Sequence, residues 1–384
     1  MTIPQTPMMP TISGFELHKL TLPLGRTIGD NNCSYQVINL VALSLQGSDG
    51  HVAWGYSESV WQGRFKHDAW YVRPLPEAEA IAAEFERTWW PRLQGRSVFD
   101  TEADRLSYAS GHPYLDAAVR LALWDLMAQE RGVPLYRLLN PEAVRRDARA
   151  YGSILDFPLS DAEVLDLTQR FILDGFQTIK VKIGADDVER DLRRLKLIRA
   201  YVGEDVRLTA DANEAWDWQT ALERIETYLA HGIALEYVED PLRRDDVQGF
   251  AELTRRSPLP IIGHDYVDNI ADLTRLVEYG GLQGIRTGKD IDHAMRCISL
   301  AESAGIGVYL GNSMFEVNAH LALAFDSVDR TEYSGLATNE VISDPVVFRG
   351  GRLLAPDRTG HGLWPQPDKL IEFASEGMDV TTQR

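Results

Sequence analysis

Cysteine is nearly missing from this chain: two in 384 residues, Cys33 and Cys297. They lie far apart and in no ligand-spaced motif, which argues against a disulfide framework and against a cysteine-based zinc site. Basic residues are also in short supply, 39 Lys and Arg against 57 Asp and Glu, a net charge of −18. Phosphate neutralisation needs clusters of Lys and Arg, so nucleic acid and anionic membrane surfaces are poor partners. No apolar run reaches the roughly 20 residues that a membrane span requires. The start, Met1-Thr2-Ile3-Pro4-Gln5-Thr6-Pro7, has no basic region followed by an apolar core, and so does not read as a secretion signal. Together these absences point to a cytoplasmic protein. They leave room for an anionic small substrate, because a divalent ion or a local cationic site adds charge that the residue count omits.

What is present is ordinary for a globular enzyme, 44% hydrophobic and 25% charged, in a chain longer than one small domain needs. Residues 12 to 60 read as antiparallel strands: Phe15–Leu20, then Tyr35–Leu45, the turn Gly47-Ser48-Asp49-Gly50, and a return over His51–Tyr56. A polar Gly-rich loop, 25–32, separates the first two. Helical patterns follow at 77–94 and 114–131, the second apolar nearly all round and ended by Gly132-Val133-Pro134.

From about residue 148 the pattern changes. Short apolar runs at 148–154, 178–183, 206–211, 235–239, 260–264, 282–287, 307–311 and 331–335 alternate with amphipathic stretches such as 188–201, 218–231 and 291–304. Eight strands alternating with helices predict an α/β fold, a parallel (β/α)8 barrel of the TIM type. The chain divides into an N-terminal α+β layer (1–140), the barrel (141–340) and a C-terminal segment (341–384). Its hairpin, 346–354, is expected to fold back on the N-terminal layer.

In such barrels chemistry is carried at the C-terminal ends of the strands. The second strand offers Lys180 and Lys182 on one face, by alternation. The third ends in Asp211-Ala212-Asn213, the fourth in Glu239-Asp240-Pro241, and the fifth in His264-Asp265. The sixth ends in Arg286, with Lys289 just beyond; the seventh in Gly311-Asn312-Ser313; the eighth carries Glu332. One acid at a strand end commonly caps the next helix. Three on consecutive strands, Asp211, Glu239 and Asp265, repel unless a cation lies between them. Carboxylate oxygens suit a hard divalent ion, Mg2+ first.

The pattern Lys180-x-Lys182, Asp211-x-Asn213, Glu239-Asp240-Pro241, Gly263-His264-Asp265 resembles the enolase superfamily, in its mandelate racemase / muconate lactonizing enzyme branch. The N-terminal α+β layer resembles that family's capping domain, and the stretch Leu123-Trp124-Asp125 through Gly132-Val133-Pro134-Leu135 to Leu138-Leu139 resembles its linking helix, so the likeness covers most of the chain. The resemblance implies one Mg2+ per subunit, with Mn2+ as substitute, and removal of the proton next to a substrate carboxylate to give an enediolate. It assigns Lys182 as base and Lys180 as the cation that lowers its pKa and contacts the carboxylate. It makes Asp211, Glu239 and Asp265 the metal ligands, with His264 as the alternative third ligand or a substrate group. Glu332 matches an acid that hydrogen-bonds the carboxylate. It also implies a homo-oligomer, dimer or octamer.

Two places depart from the family. Arg286 and Asn312 stand where relatives carry bases, and arginine does not readily lose its proton. Arg286 and Asn312, with Asn213, are therefore substrate-binding or intermediate-stabilising candidates, and Lys289 is the candidate second acid or base. With a confident base on one face only, dehydration of an acid sugar or hydroxy acid is the expected reaction. A racemase, epimerase or cycloisomerase using Lys289 or His264 is the alternative, and a catalytically silent carboxylate binder the third reading. Asn31, Asn32, Tyr56 and Trp61 are cap residues placed to face substrate or solvent, and Glu316 reads as structural.

Overall fold

The computed structural model describes residues 9–59, 74–154, 157–264, 267, 269–335, 340–354, 356–374 and 381–383. Asp265 and Trp61 lie outside them.

Three antiparallel strands open the chain: β1 (Ile12–Gly29), β2 (Ser34–Gly47) and β3 (Val52–Ser59). The stretch expected as a Gly-rich loop is instead the far end of β1. A register shift between Pro23 and Ile28, with Gly25 at φ 70°, carries pairing through to Gly29. This is how a bulge spends surplus residues without ending a strand. Against this sheet lies the helix Pro113–Glu130. A helix apolar all round belongs inside a protein, and this one is covered by the sheet on one side and barrel residues on the other. Gly55 permits the approach: a Cβ there would lie 1.8 Å from the Ala118 carbonyl oxygen.

The barrel comprises β4 (Ala148–Ile154), β5 (Thr178–Lys182), β6 (Arg207–Asp211), β7 (Val238–Glu239), β8 (Ile261–Gly263), β9 (Gly284–Thr287), β10 (Gly307–Leu310) and β11 (Val328–Tyr333). All neighbours are parallel, and β11 pairs with β4 through Thr331↔Ala150, closing the ring. Six of the described helices between them start on their own side-chain caps. Ser160, Asp187, Asp217, Asp246, Asn269 and Asp290 each accept from a first-turn N–H. Capping is therefore done by residues outside the strands, and the acids at the strand ends serve something else.

The hairpin β12 (Val347–Arg349) and β13 (Arg352–Leu354) does not fold onto the N-terminal layer as expected. It pairs with β4 through Leu353↔Ala148, extending the barrel sheet at its base. The exposed edge of β4's first residues is the nearer template for its main-chain groups. Only later does the chain reach the cap: Thr21 N–H donates to the Phe373 carbonyl, and β14 (Thr381–Gln383) pairs with β1. No helix among the described residues is long and apolar enough to cross a membrane.

Asp125 fastens these parts together. Fully buried, it accepts from Trp54 N (2.9 Å), Gln129 Nε2 (2.9 Å) and His361 N (2.6 Å), joining the cap sheet, the long helix and the C-terminal segment. Gly360 leaves room for it, since a Cβ there would meet Asp125 Oδ1 at 2.1 Å. Asp125→Ala orphans three buried donors, and urea unfolding should show a loss of about 3–5 kcal/mol.

Candidate active site

Alternation along parallel strands in register stacks inward side chains into one layer. Lys180 pairs with Thr209, Lys182 with Asp211, and Asp211 with Glu239. The layer at the C-terminal mouth is therefore charged. Lys180 Nζ donates to Asp211 Oδ2 (3.1 Å) and Glu239 Oε1 (2.9 Å), and lies 3.2 Å from Glu332 Oε1. Lys182 Nζ donates to Asp211 Oδ2 (2.6 Å) and Asn213 Oδ1 (3.0 Å). Arg286 Nε donates to Glu239 Oε1 (2.8 Å), and its Nη2 pairs with Glu332. Asn312 N–H donates to Glu332 Oε2 at 3.3 Å. All of these side chains except Asn312 are almost fully buried. Lys180, Lys182 and Arg286 thus balance Asp211, Glu239 and Glu332, three charges against three.

The balance sets the protonation states. Burial pushes Asp211 up, but Lys182 and Lys180 outweigh it and hold its carboxyl well below the usual range. Burial likewise opposes Glu332's charge, and Lys180 and Arg286 reverse it, leaving the pKa low. For Glu239 burial prevails: Arg286 pulls the pKa down, Asp211's like charge pushes it up, and the net shift is upward. Burial and Lys180 both favour neutral Lys182, the direction expected from the paired lysines. Asp211, joined by Asp30 and Glu332, outweighs them, so in this arrangement the Lys182 pKa is raised.

Asp211, Glu239 and Asp240 can each aim one oxygen so that the three lie within 4.8 Å of one another. Glu239 Oε2 is buried and has no hydrogen-bond partner. A buried anionic oxygen left open beside two more carboxylates fits a hard cation, and an all-oxygen donor set suits magnesium better than zinc. Asp240 was missed as a member because successive strand residues face opposite ways. The strand stops at Glu239, and Asp240 takes φ 45°, which turns its side chain back.

His264 does not join that cluster. Its Nε2 lies 3.2 Å from Glu214 Oε1 and from the Leu242 carbonyl, its Nδ1 3.8 Å from Asp240 Oδ1. Burial disfavours the imidazolium, but Asp240 and Glu214 raise the pKa to about 9. Glu214 gave no sequence signal, standing three residues past a strand end in a left-handed conformation.

Lys289 is not a surface lysine. Its side chain is 13% exposed, pairs with Glu58 of β3, and donates to Asn312 Oδ1 (3.1 Å) and its carbonyl (3.3 Å). It lines a cavity of about 220 Å³ between cap and barrel that His264, Arg120 and His293 also line. Asn31 and Asn32 face neither substrate nor solvent with their amide nitrogens: Asn31 Nδ2 donates to the Ala212 carbonyl (3.1 Å) and Asn32 to that of Asn213, tying the cap to the end of β6. Tyr56 gives its hydroxyl to the Leu363 carbonyl (2.7 Å). Glu316 is buried too; burial first, then Glu332 and Glu58, push its carboxyl well up.

A family model described as enolase C-terminal domain-like matches residues 163–369, more than half of the chain. The protein belongs to this family, the enolase superfamily's mandelate racemase / muconate lactonizing enzyme branch. It is 27% identical over 311 residues to an L-Ala-D/L-Glu epimerase of Bacillus subtilis, covering 74% of this chain and 81% of that one. A Mesorhizobium loti structure, provisionally named a mandelate racemase, superposes with a TM-score of 0.87 at 30% identity, over 95% of both chains. The L-talarate dehydratase of Polaromonas, solved with Mg and L-glucarate, gives a TM-score of 0.81 at 23% identity, over 97% of this chain and 99% of that one.

Proposed function

We propose that this protein removes the proton next to the carboxylate of a small substrate, with Lys182 as base, and that Lys289 supplies a proton from the other side. One observation carries the second half. Lys182 ends β5 and Lys289 follows β9, four strands apart in a ring of eight, so the two ammonium groups approach the mouth from opposite walls. Two groups on opposite faces of one carbon are what epimerisation or racemisation needs, and the epimerase relative supports that reading. Dehydration is the second reading. Lys289 already donates to three acceptors, a posture that serves a departing β-hydroxyl equally well, and the dehydratase neighbour supports it.

Asp211 and Glu239 would hold a magnesium ion, with Asp240 or Asp265 adding a third carboxylate. That ion supplies positive charge for the enediolate, the largest single stabilisation such chemistry requires. Arg286, held in place by its pairing with Glu332, orients the substrate carboxylate. Lys180, buried over the Tyr151 ring at 5.6 Å, stays charged and binds it.

Incubation with hydroxy acids, amino acids and acid sugars in D2O with Mg2+ tests the proposal. Deuterium at the α-carbon without loss of water supports epimerisation; deuterium with loss of water supports dehydration; no incorporation across the series leaves a silent binder and ends the proposal. Treatment with a chelator should abolish the exchange, and added Mg2+ should restore it.

A further inference from the structure

The barrel has a second charged end. At its base lies a cavity of about 390 Å³, lined by Arg149, Arg207, Arg330 and Arg352 with Gln177 and Thr178. Its size falls in the range of small-molecule sites, about 300–1,000 Å³. In a chain of net charge −18, four guanidiniums around one space are against the general trend.

Among the described residues no carboxylate lines the cavity, and the nearby ones pair with the arginines. Glu236 takes Arg330 through two hydrogen bonds (2.8 and 3.0 Å) and Arg207 through one (3.2 Å). Asp329 holds Arg330 Nε and lies 3.6 Å from Arg149, beyond hydrogen-bond reach. Asp147 accepts from Arg352 at 2.6 Å. Four guanidiniums against three carboxylates leave one positive charge. Arg149 is 63%, Arg207 54% and Arg352 44% exposed, so these three can turn toward a ligand, while buried Arg330 is fixed. The Gly350-Gly351 turn keeps the space open. Gly351 is pressed onto the Gly175 carbonyl, where a Cβ would meet it at 2.5 Å, whereas a Cβ on Gly350 would meet nothing within 4 Å.

We propose that this cavity binds a phosphomonoester, the phosphoryl group held by Arg149, Arg352 and Arg207 against Arg330. Planar guanidiniums take phosphate oxygens in pairs. A phosphomonoester carries about −1.5 to −2 charge at neutral pH, more than any substrate carboxylate. The volume exceeds what a bare phosphate fills, which leaves room for a short organic tail. The site is joined to the candidate active site by shared strands. Thr178 precedes Lys180 and Lys182 on the inward face of β5, Arg207 precedes Asp211 on β6, and Arg330 precedes Glu332 on β11. Four residues separate the two ends on β5 and β6, roughly 13 Å, and two on β11, roughly 7 Å.

Calorimetric titration of the magnesium-loaded protein with glycerol 3-phosphate, and separately with inorganic phosphate, at low ionic strength tests this. Saturable binding of one ester per chain, tighter than inorganic phosphate, is expected. Equal affinity for both would overturn the ester as occupant. Arg149→Ala and Arg352→Ala should each weaken ester binding by about tenfold. Arg149→Ala loses no hydrogen bond and keeps the test open if Arg352→Ala fails to fold. Titration of the metal-free protein should give the same affinity, because the arginines lie at the opposite end of the barrel from Asp211 and Glu239. Absence of saturable heat, or binding that needs magnesium and ignores the arginines, overturns the proposal.

Discussion

Lys182→Ala should lower α-proton exchange by about 10²- to 10⁴-fold, the usual worth of a positioned general base. The expectation rests on position. Lys182 is the last residue of β5, inward-facing and nearly fully buried, and its Nζ touches Asp211 at 2.6 Å. The same contact works against the base role, because Asp211 keeps the proton on. A divalent ion bound to Asp211 would take up the largest of the charges that hold the proton and shift the balance toward burial and Lys180, both of which favour the neutral amine. The exchange rate in wild type should therefore collapse on chelation as completely as it does in Lys182→Ala. Magnesium should still bind to Lys182→Ala, since Asp211 and Glu239 remain. Exchange that persists in the variant would remove Lys182 from the chemistry, while loss of magnesium binding together with exchange would reduce it to a support for Asp211.

The barrel was legible because parallel strands are buried on both faces and so appear as short apolar runs. The eight runs read from the sequence coincide with β4–β11 to within a few residues. The acids at the strand ends were legible for a related reason: a carboxylate closing an apolar run has no local use once Asp217 and Asp246 have taken the following caps. What escaped was everything set by chain folding over long distances. Glu58 meets Lys289 across 231 positions, and nothing near either residue announces the other. Asn31 looked like a loop polar group and proved to be a tie to Ala212, 181 residues on. Lys289 read more readily as an exposed loop lysine than as a catalytic one, because its burial comes from the cap laid over it. Asp240 was hidden by a backbone dihedral, which alternation cannot foresee. The paired lysines gave the right sign for one electrostatic influence on Lys182, but the register that sets Asp211 beside it decides the sum.

The seam between cap, barrel and C-terminal segment should open in acid, and His320 is the reason. It is fully buried on the helix Ala319–Ala324. Its Nδ1 accepts from the Tyr136 backbone N–H at 3.3 Å, which requires an unprotonated nitrogen there, and its Nε2 lies 2.9 Å from the His361 carbonyl, to which it must donate. The neutral tautomer satisfies both; the imidazolium would set an N–H against the Tyr136 N–H. Burial, the main cause, depresses the pKa from 6.5 to about 3. Between those values the unfolded chain binds a proton that the folded chain refuses. Stability is therefore complete above about pH 6.5 and falls progressively toward pH 3, in total by about 5 kcal/mol at 1.36 kcal/mol per unit. His320→Asn keeps an acceptor near Nδ1 and carries no titrating group. Its unfolding free energy should lie below wild type at pH 7, where a hydrogen bond is lost, and converge on it as the pH falls. Parallel curves for the two proteins from pH 7 to pH 4 would show that the acid sensitivity of this seam lies in another group.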